Sequence, residues 1–391
     1  MMEIKRRWNS PWLAGALWLI PILIISIMIA VELLNRGVTS HYHLAVTHWW
    51  LHQSVYAGSK GFNYLPAFIL FFSFFDWLPH TLCEILWRWV AAGGLFIGLW
   101  FFSGVFATKN RYQAFIIVTL LSLPLGVSAL RNGQSSAHLA ASLVLAAWYL
   151  HNHRLWWATF WLSMALVCKP LAIPAIGLAA VMFPGLWWRV AIGATAVFVC
   201  PYLFAPVNYV NEIYASFAAN LTDCFDPSGP SKRTFADLNG LLAVFNIRLS
   251  GLPSLVVGAA TGVAMAIGGW FVRGSGAEIR SVMLWLALSG IHIMLFTPMN
   301  ESNSYVMLSP SFGLWALWFL ANGQKRLAQV IAAMSLTMLF LPDLVGIAYG
   351  RSSGNEFAKF LYPLMTLFFL GILLPQIQRM ISRIPTSPRS A

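Results

Sequence analysis

Charge is scarce in this 391-residue chain: 9% of its residues are charged, and 12 acids stand against 24 lysines and arginines. A soluble domain of this length carries about a quarter of its residues as charges, so that class is excluded. Cysteine is rarer still. Cys83, Cys168, Cys200 and Cys224 are scattered along the chain, which excludes a disulfide framework or a metal-binding spacing. Internal repeats, heptads and low-complexity linkers are also missing, so residues 1–391 read as one integral domain. The net charge of +12 does not point to nucleic acid, because the cations fall in short clusters between apolar runs and form no basic face.

What the chain has in abundance is apolar sequence, at 59% of all residues. Runs long enough to cross a hydrocarbon core, which takes about 20 helical residues, recur from Pro11 to Pro375. Backbone groups in lipid must be paired within their own segment, so these runs are helices. The fold class is therefore all-α and polytopic. The first run follows Lys5, Arg6 and Arg7 but is too long for a signal peptide and lacks a small-residue cleavage site, so it reads as a retained first helix.

The cationic clusters set an orientation. Taking the N-terminus, Lys109/Arg111, Arg154, Arg189, Arg273/Arg280, Lys325/Arg326 and the tail as cytoplasmic collects fourteen cations with only Glu3 and Glu278, as the positive-inside rule requires. Both termini are then cytoplasmic. Twelve crossings follow, near 11–35, 81–106, 113–130, 136–150, 155–169, 172–186, 189–205, 251–272, 281–297, 305–321, 327–342 and 359–377. The apolar stretch 65–77 is short and bounded by Pro66 and Pro79, and alternation leaves no room for it, so it reads as an interfacial or re-entrant helix. Three outer segments are long enough to hold a site: about 36–80, 206–250 and 343–358.

Polar residues at the outer boundary are costly unless they are paired or line a wet cavity. Arg131 opens the turn Arg131-Asn132-Gly133-Gln134, and Lys169-Pro170 ends an apolar run. Both suit an anionic lipid headgroup; both also fit snorkelling or pairing with an acid such as Glu301. The turn 297–305 crowds Glu301, Asn300, Asn303 and Tyr305 between two apolar helices. Glu301 there fits a general base, a sugar-hydroxyl acceptor, a counter-ion for Lys169 or Arg131, or a helix cap.

The first outer loop holds His41, Tyr42, His43, His48, Trp49, Trp50, His52 and Tyr56, then Phe62-Asn63-Tyr64-Leu65-Pro66. Aromatic faces and imidazoles suit sugars, and Trp49, Trp50 and Tyr56 suit an interfacial belt equally well. No zinc site is expected from His41 and His43, whose i, i+2 spacing lacks a third ligand. In the second outer segment, adjacent Lys232 and Arg233 fit a phosphate or a solvated loop, and Arg351 in the third has the same two readings.

Several of these motifs together resemble the polyprenyl-phosphate-dependent glycosyltransferases of family 87, within the GT-C superfamily of integral membrane transferases. The loop tyrosine followed by an aromatic-proline segment is similar to Tyr56 with 62–66, and a Gly-Gln turn to Gly133-Gln134. A Lys-Pro after an apolar helix matches Lys169-Pro170, a later loop matches 237–241, and a late acid-amide-tyrosine turn matches 297–305. The resemblance implies a GT-C-like fold with juxtamembrane helices in the first outer loop, in keeping with 65–77. The family ordinarily carries a loop aspartate regarded as the catalytic base, which would fall near Val38. No acid lies between Glu32 and Asp76. Either Glu32, His41, His43 or Glu301 has taken that role, or the chain is catalytically impaired.

The resemblance further implies transfer of a sugar, by family habit a hexose such as mannose, from a polyprenyl-phosphate donor to a glycan or lipid acceptor on the extracytoplasmic face of a cell (inner) membrane, with inversion. The bilayer, the lipid-linked sugar and the acceptor are the expected partners, with no nucleic acid. Neither a metal nor any other cofactor is expected. Glu301, His41 and His43 are the candidate catalytic residues. Arg131, Gln134, Lys169, Asn303, Tyr305, Tyr64, Lys232 and Arg233 are the candidate substrate-binding residues. The rival readings are a transporter or flippase for lipid-linked saccharides and a non-catalytic relative that binds lipid-linked sugar.

Overall fold

The computed structural model describes residues 10–34, 37–56, 62–106, 110–225, 235–249, 251–273, 279–297 and 300–382. These residues form helices and turns, with no strand among them. In chain order the helices are α1 (Pro11–Ala30), α2 (Thr39–Trp50), α3 (Pro66–Asp76), α4 (His80–Phe106), α5 (Arg111–Arg131), α6 (Ser135–His151), α7 (Leu155–Cys168), α8 (Ile173–Met182), α9 (Trp187–Val199), α10 (Val207–Phe225), α11 (Leu238–Leu242), α12 (Leu252–Val272), α13 (Ile279–Phe296), α14 (Ser309–Ala321), α15 (Lys325–Tyr349) and α16 (Arg351–Ile381). Nine spans among the described residues are long and apolar enough to cross a membrane. The chain is a multi-pass membrane protein of GT-C-like helical architecture.

Each of the twelve expected crossings has a helix at its place, but those at 136–150, 155–169 and 172–186 are shorter than the nine spans. The stretch 65–77 is the short α3, whose 11 residues span about 17 Å, too little to cross. One expected segment is corrected: 343–358 is no loop. α15 and α16 run through it and meet at Gly350, whose φ of +94° makes the reversal in a single residue that needs no Cβ. The second long segment is also partly helical, through α10 and α11.

Helix α6 is the axis of the bundle. All its residues except Trp148, Tyr149 and His151 are buried. Its Ala- and Ser-rich sequence lets neighbours approach closely. On α4, a Cβ added at Gly94 would sit 2.9 Å from the Ala141 side chain, and one at Gly98 would sit 2.6 Å from Val144. Helices α13 and α14 are similarly enclosed, while α12 leaves nearly its whole apolar surface outward, where lipid is the only suitable solvent. At the periphery, α1 is docked by two indole bonds, Trp18 to Thr119 at 3.1 Å and Trp89 to Ser26 at 3.0 Å.

The long helices carry their two ends to opposite faces. α5 has 21 residues, about 31 Å of rise, so Arg111 and Arg131 lie at opposite ends. The start of α4, the α5–α6 turn, the end of α7 and the segment after α13 therefore share one end of the bundle.

Two local devices shape that end. The α5–α6 turn passes so close to α2 and α4 that a Cβ at Gly133 would lie 2.7 Å from Thr39 Cγ2 and 2.8 Å from Arg88 Nη2; its φ is +66°. The indole of Trp87 donates to the Gly133 carbonyl at 2.8 Å. Across the face, the segment beginning at Phe235 clamps the turn after α13. Ala236 N donates to the Asn300 carbonyl at 2.7 Å, and Tyr305 donates to the Ala236 carbonyl at 3.0 Å. Asp237 then caps α11 by accepting from Gly240 N at 3.1 Å. Asn300 is fully buried and donates to the Ile293 and Thr297 carbonyls at 2.6 and 2.9 Å, satisfying orphan acceptors at the end of α13.

Gly133→Ala is expected to cost roughly 1–3 kcal/mol through left-handed strain, before any clash is counted, and to lower the melting temperature of the detergent-purified protein. Burial pushes the Asp237 carboxyl up to about 6, against the pull of backbone donors from Gly240 and Asn239. The folded chain thus keeps that proton at pH values where the unfolded chain has lost it, so stability declines as pH rises from about 4 through about 6. Asp237→Asn keeps the cap and removes this decline; melting curves between pH 4 and 7 should show a flatter profile and a higher melting temperature at pH 7.

Candidate active site

Two polar clusters occupy the end of the bundle where α4 begins and α5 ends. The first surrounds Glu84 and Arg88, one turn apart near the start of α4. Arg88 is 2% exposed. Its Nη1 donates to Glu84 Oε2 at 2.6 Å and to the Glu84 carbonyl at 2.8 Å. Its Nε and Nη2 donate to the Arg131 carbonyl at 3.3 and 3.2 Å. Thr39 donates to Glu84 Oε2 at 2.9 Å. From α2, His43 places Nε2 3.1 Å from Glu84 Oε1 and Nδ1 against Asp76 Oδ1.

Burial alone would lower the pKa of His43, but its bonds to Cys83, Glu84 and Asp76 outweigh burial and push it up to about 10. Two carboxylates thus flank this imidazole and favour its cationic form. His41, two positions away, is exposed and takes no part in the cluster. On a helix, residues at i and i+2 do not share a face, which separates the two histidines that the sequence made equivalent.

The second cluster is built on the first residues of α6. Gln134 Nε2 donates to Glu301 Oε2 at 3.1 Å, and Asn303 Nδ2 donates to the same oxygen at 3.1 Å. Gln134 Oε1 accepts from Ser136 Oγ at 3.5 Å, and Ser136 Oγ accepts from Lys169 Nζ at 2.6 Å. Glu301 is exposed and makes no cap to the 3₁₀ turn it precedes. Two amides therefore fix one of its carboxylate oxygens, and among the described residues the other oxygen makes no hydrogen bond. Arg131 is exposed at the head of the same turn, with its carbonyl committed to Arg88.

Three of the expected sugar ligands belong to the scaffold. Tyr64 is buried; its hydroxyl bonds Tyr42 at 2.8 Å and accepts from Ser135 at 3.2 Å, and its ring stacks on Phe68 with centroids 4.4 Å apart. Tyr305 is fully buried and its hydroxyl is spent on Ala236. Asn303 orients Glu301. Lys232 and Arg233 lie outside the described residues.

Sequence reasoning passed over Asp76, His80, Glu84, Arg88 and Ser136. The signal was present in His80-x-x-x-Glu84-x-x-x-Arg88, three polar residues at i, i+4 spacing that share one face of an otherwise apolar helix. Among the described residues, His43, His80 and Glu84 form a group able to hold a metal ion, their ligand atoms all within 4.8 Å of one another.

A family model described as Glycosyltransferase family 87 matches residues 62–298, more than half of the chain. The match runs from α3 through α13 and contains Glu84, Arg88, Gln134 and Lys169; His43 and Glu301 lie outside it. Neither a curated protein nor a solved structure matches the chain. An all-helical, multi-pass bundle and a match across most of its length make this chain a member of glycosyltransferase family 87, a membrane glycosyltransferase.

Proposed function

We propose that the protein moves a sugar, a hexose such as mannose, from a polyprenyl-phosphate donor to a glycan or lipid acceptor. The site end of the bundle faces away from the cytoplasm, both termini face the cytoplasm, and the membrane is a cell (inner) membrane. The observation that carries this reading is the hydrogen-bonded run Lys169–Ser136–Gln134–Glu301. It links a cation and a carboxylate across the start of α6, the pair that displacement of a phosphate by a hydroxyl requires.

In this mechanism Lys169 receives the donor phosphate, helped by the positive end of the α6 dipole. Arg131 adds a second cation at the mouth. The acceptor hydroxyl attacks the anomeric carbon from the side opposite the phosphate. The bond between that carbon and the phosphate oxygen breaks, and its electron pair leaves with the phosphate. The hydroxyl proton passes to the open oxygen of Glu301. One displacement inverts the anomeric configuration. The loop base that the family ordinarily carries near Val38 is thus replaced from the far side of the site, by the turn after α13.

Lys169→Ala is expected to lower transfer by about 10²–10³-fold, the scale for losing a preorganised electrostatic partner of the transition state. Glu301→Gln, which keeps the shape and removes the base, should cost about 10²–10⁴-fold. Both are measured with labelled polyprenyl-phosphate sugars and membrane-lipid acceptors on protein whose melting temperature is unchanged. Full activity in Lys169→Ala overturns the phosphate assignment. Retained anomeric configuration, read by NMR of the product, overturns the single displacement.

A further inference from the structure

We propose that His43, His80 and Glu84 form a binding site for a divalent transition metal of the zinc class, which fastens the first-loop helices to α4. This inference is independent of the donor and acceptor assigned above.

The donor atoms are already spaced for it. Two bonds of about 2.0 Å meeting at a tetrahedral angle hold their ligand atoms about 3.3 Å apart, and His43 Nε2 lies 3.1 Å from Glu84 Oε1. His80 begins α4 one turn before Glu84, on the same helix face. Its ring stands edge-on to that of His43, with centroids 4.8 Å apart. The ligand atoms of the three residues fall within 4.8 Å of one another. His80 is exposed, so rotation of an unhindered side chain closes the remaining gap.

The surrounding contacts match what coordinated ligands need. A metal-bound imidazole donates its other nitrogen to a carboxylate, which fixes ring and tautomer; Asp76 Oδ1 bonds His43 Nδ1 in that way. The proton on Nδ1 then leaves the Nε2 lone pair for the metal, which displaces any proton held there. Glu84 divides its oxygens: Oε2 accepts from Arg88 and Thr39 at 2.6 and 2.9 Å, and Oε1 faces His43. Two imidazoles and one carboxylate select zinc, cobalt or nickel over magnesium or calcium, which prefer all-oxygen shells. Three protein ligands leave a fourth position for water.

The bland reading of the same atoms is an ion bridge in which His43 joins Asp76 to Glu84. That bridge makes no use of His80, so His80 discriminates the two. Because His80 is exposed, His80→Ala leaves the packing intact.

The test uses the full chain in detergent, purified through a tag that contains no histidine, stripped with chelator and titrated with Zn²⁺ by calorimetry and with Co²⁺ by visible absorption. The native chain should bind one equivalent, show the intense ligand-field bands of a four-coordinate cobalt site and melt at higher temperature with zinc. His80→Ala should weaken binding at least 10-fold and lose the thermal shift. Asp76→Asn should weaken it about 10–100-fold, as loss of an outer-shell partner does. Absence of saturable binding by the native chain, or equal binding by His80→Ala, overturns the site.

Discussion

The end of the bundle that carries the candidate site is organised by one buried ion pair. Glu84 and Arg88 sit in the first turns of a membrane helix, where an unpaired charge costs several kcal/mol even after relaxation. That cost is offset when the nitrogens of the guanidinium find acceptors, and here all three do, on Glu84 and on the Arg131 carbonyl. The pair therefore dictates where its neighbours go. Thr39 must bring α2 to Glu84, and the α5–α6 turn must bring its backbone to Arg88. Gly133 must lack a side chain, because the guanidinium occupies the space beside it.

With the turn held there, the start of α6 has a fixed direction. Tyr42 and Tyr64 fasten the first loop to Ser135, and Trp87 holds the Gly133 carbonyl from the α4 side. The opposite wall is set separately, by Asn300 closing α13 and by Ala236 and Tyr305 clamping the segment that follows. Glu301 thus reaches Gln134 from a wall built independently of the one that holds Lys169. Closing such a gap between independently placed elements costs little once each is rigid, which is why amide-to-carboxylate contacts suffice to complete the site.

The helical plan was legible because hydropathy and charge act on long segments, and lipid allows few alternatives. The short α3 was recognisable from its length between two prolines. The 343–358 stretch was misread because Asp343, Arg351, Asn355 and Glu356 make it polar, whereas helices that extend past the apolar layer remain helical while water solvates their side chains. Lys169, Gln134 and Glu301 were each visible as polar residues at a membrane boundary, but their meeting depends on contacts across 33 to 167 residues of chain, which no local pattern encodes. Tyr64 and Tyr305 were misassigned for a related reason. A phenol near a site binds substrate or scaffold according to burial, and burial is a property of the packed bundle. Glu84 and Arg88 escaped attention because polar residues were sought between the apolar runs and these lie within one.

A base and a leaving-group partner make conflicting demands: a carboxylate placed beside a lysine tends to pair with it, neutralising both before substrate arrives. The arrangement around α6 avoids this by giving each a neutral partner. Lys169 donates to a serine hydroxyl and Glu301 accepts from two amides, with Gln134 spanning the distance between them. The charges are kept apart by groups that themselves hydrogen-bond, so neither is desolvated without compensation. The helix end then adds its own bias. Its dipole favours an anion at the residues that Lys169 reaches, so in the proposed transfer an incoming phosphate meets both a point charge and a helix terminus, and the acceptor hydroxyl meets the second oxygen of Glu301. A neutral bridge at the start of a buried helix, whose longest link is the 3.5 Å contact of Ser136 with Gln134, keeps cation and carboxylate apart, as the proposed transfer requires of a site that binds an anion and accepts a proton in one event.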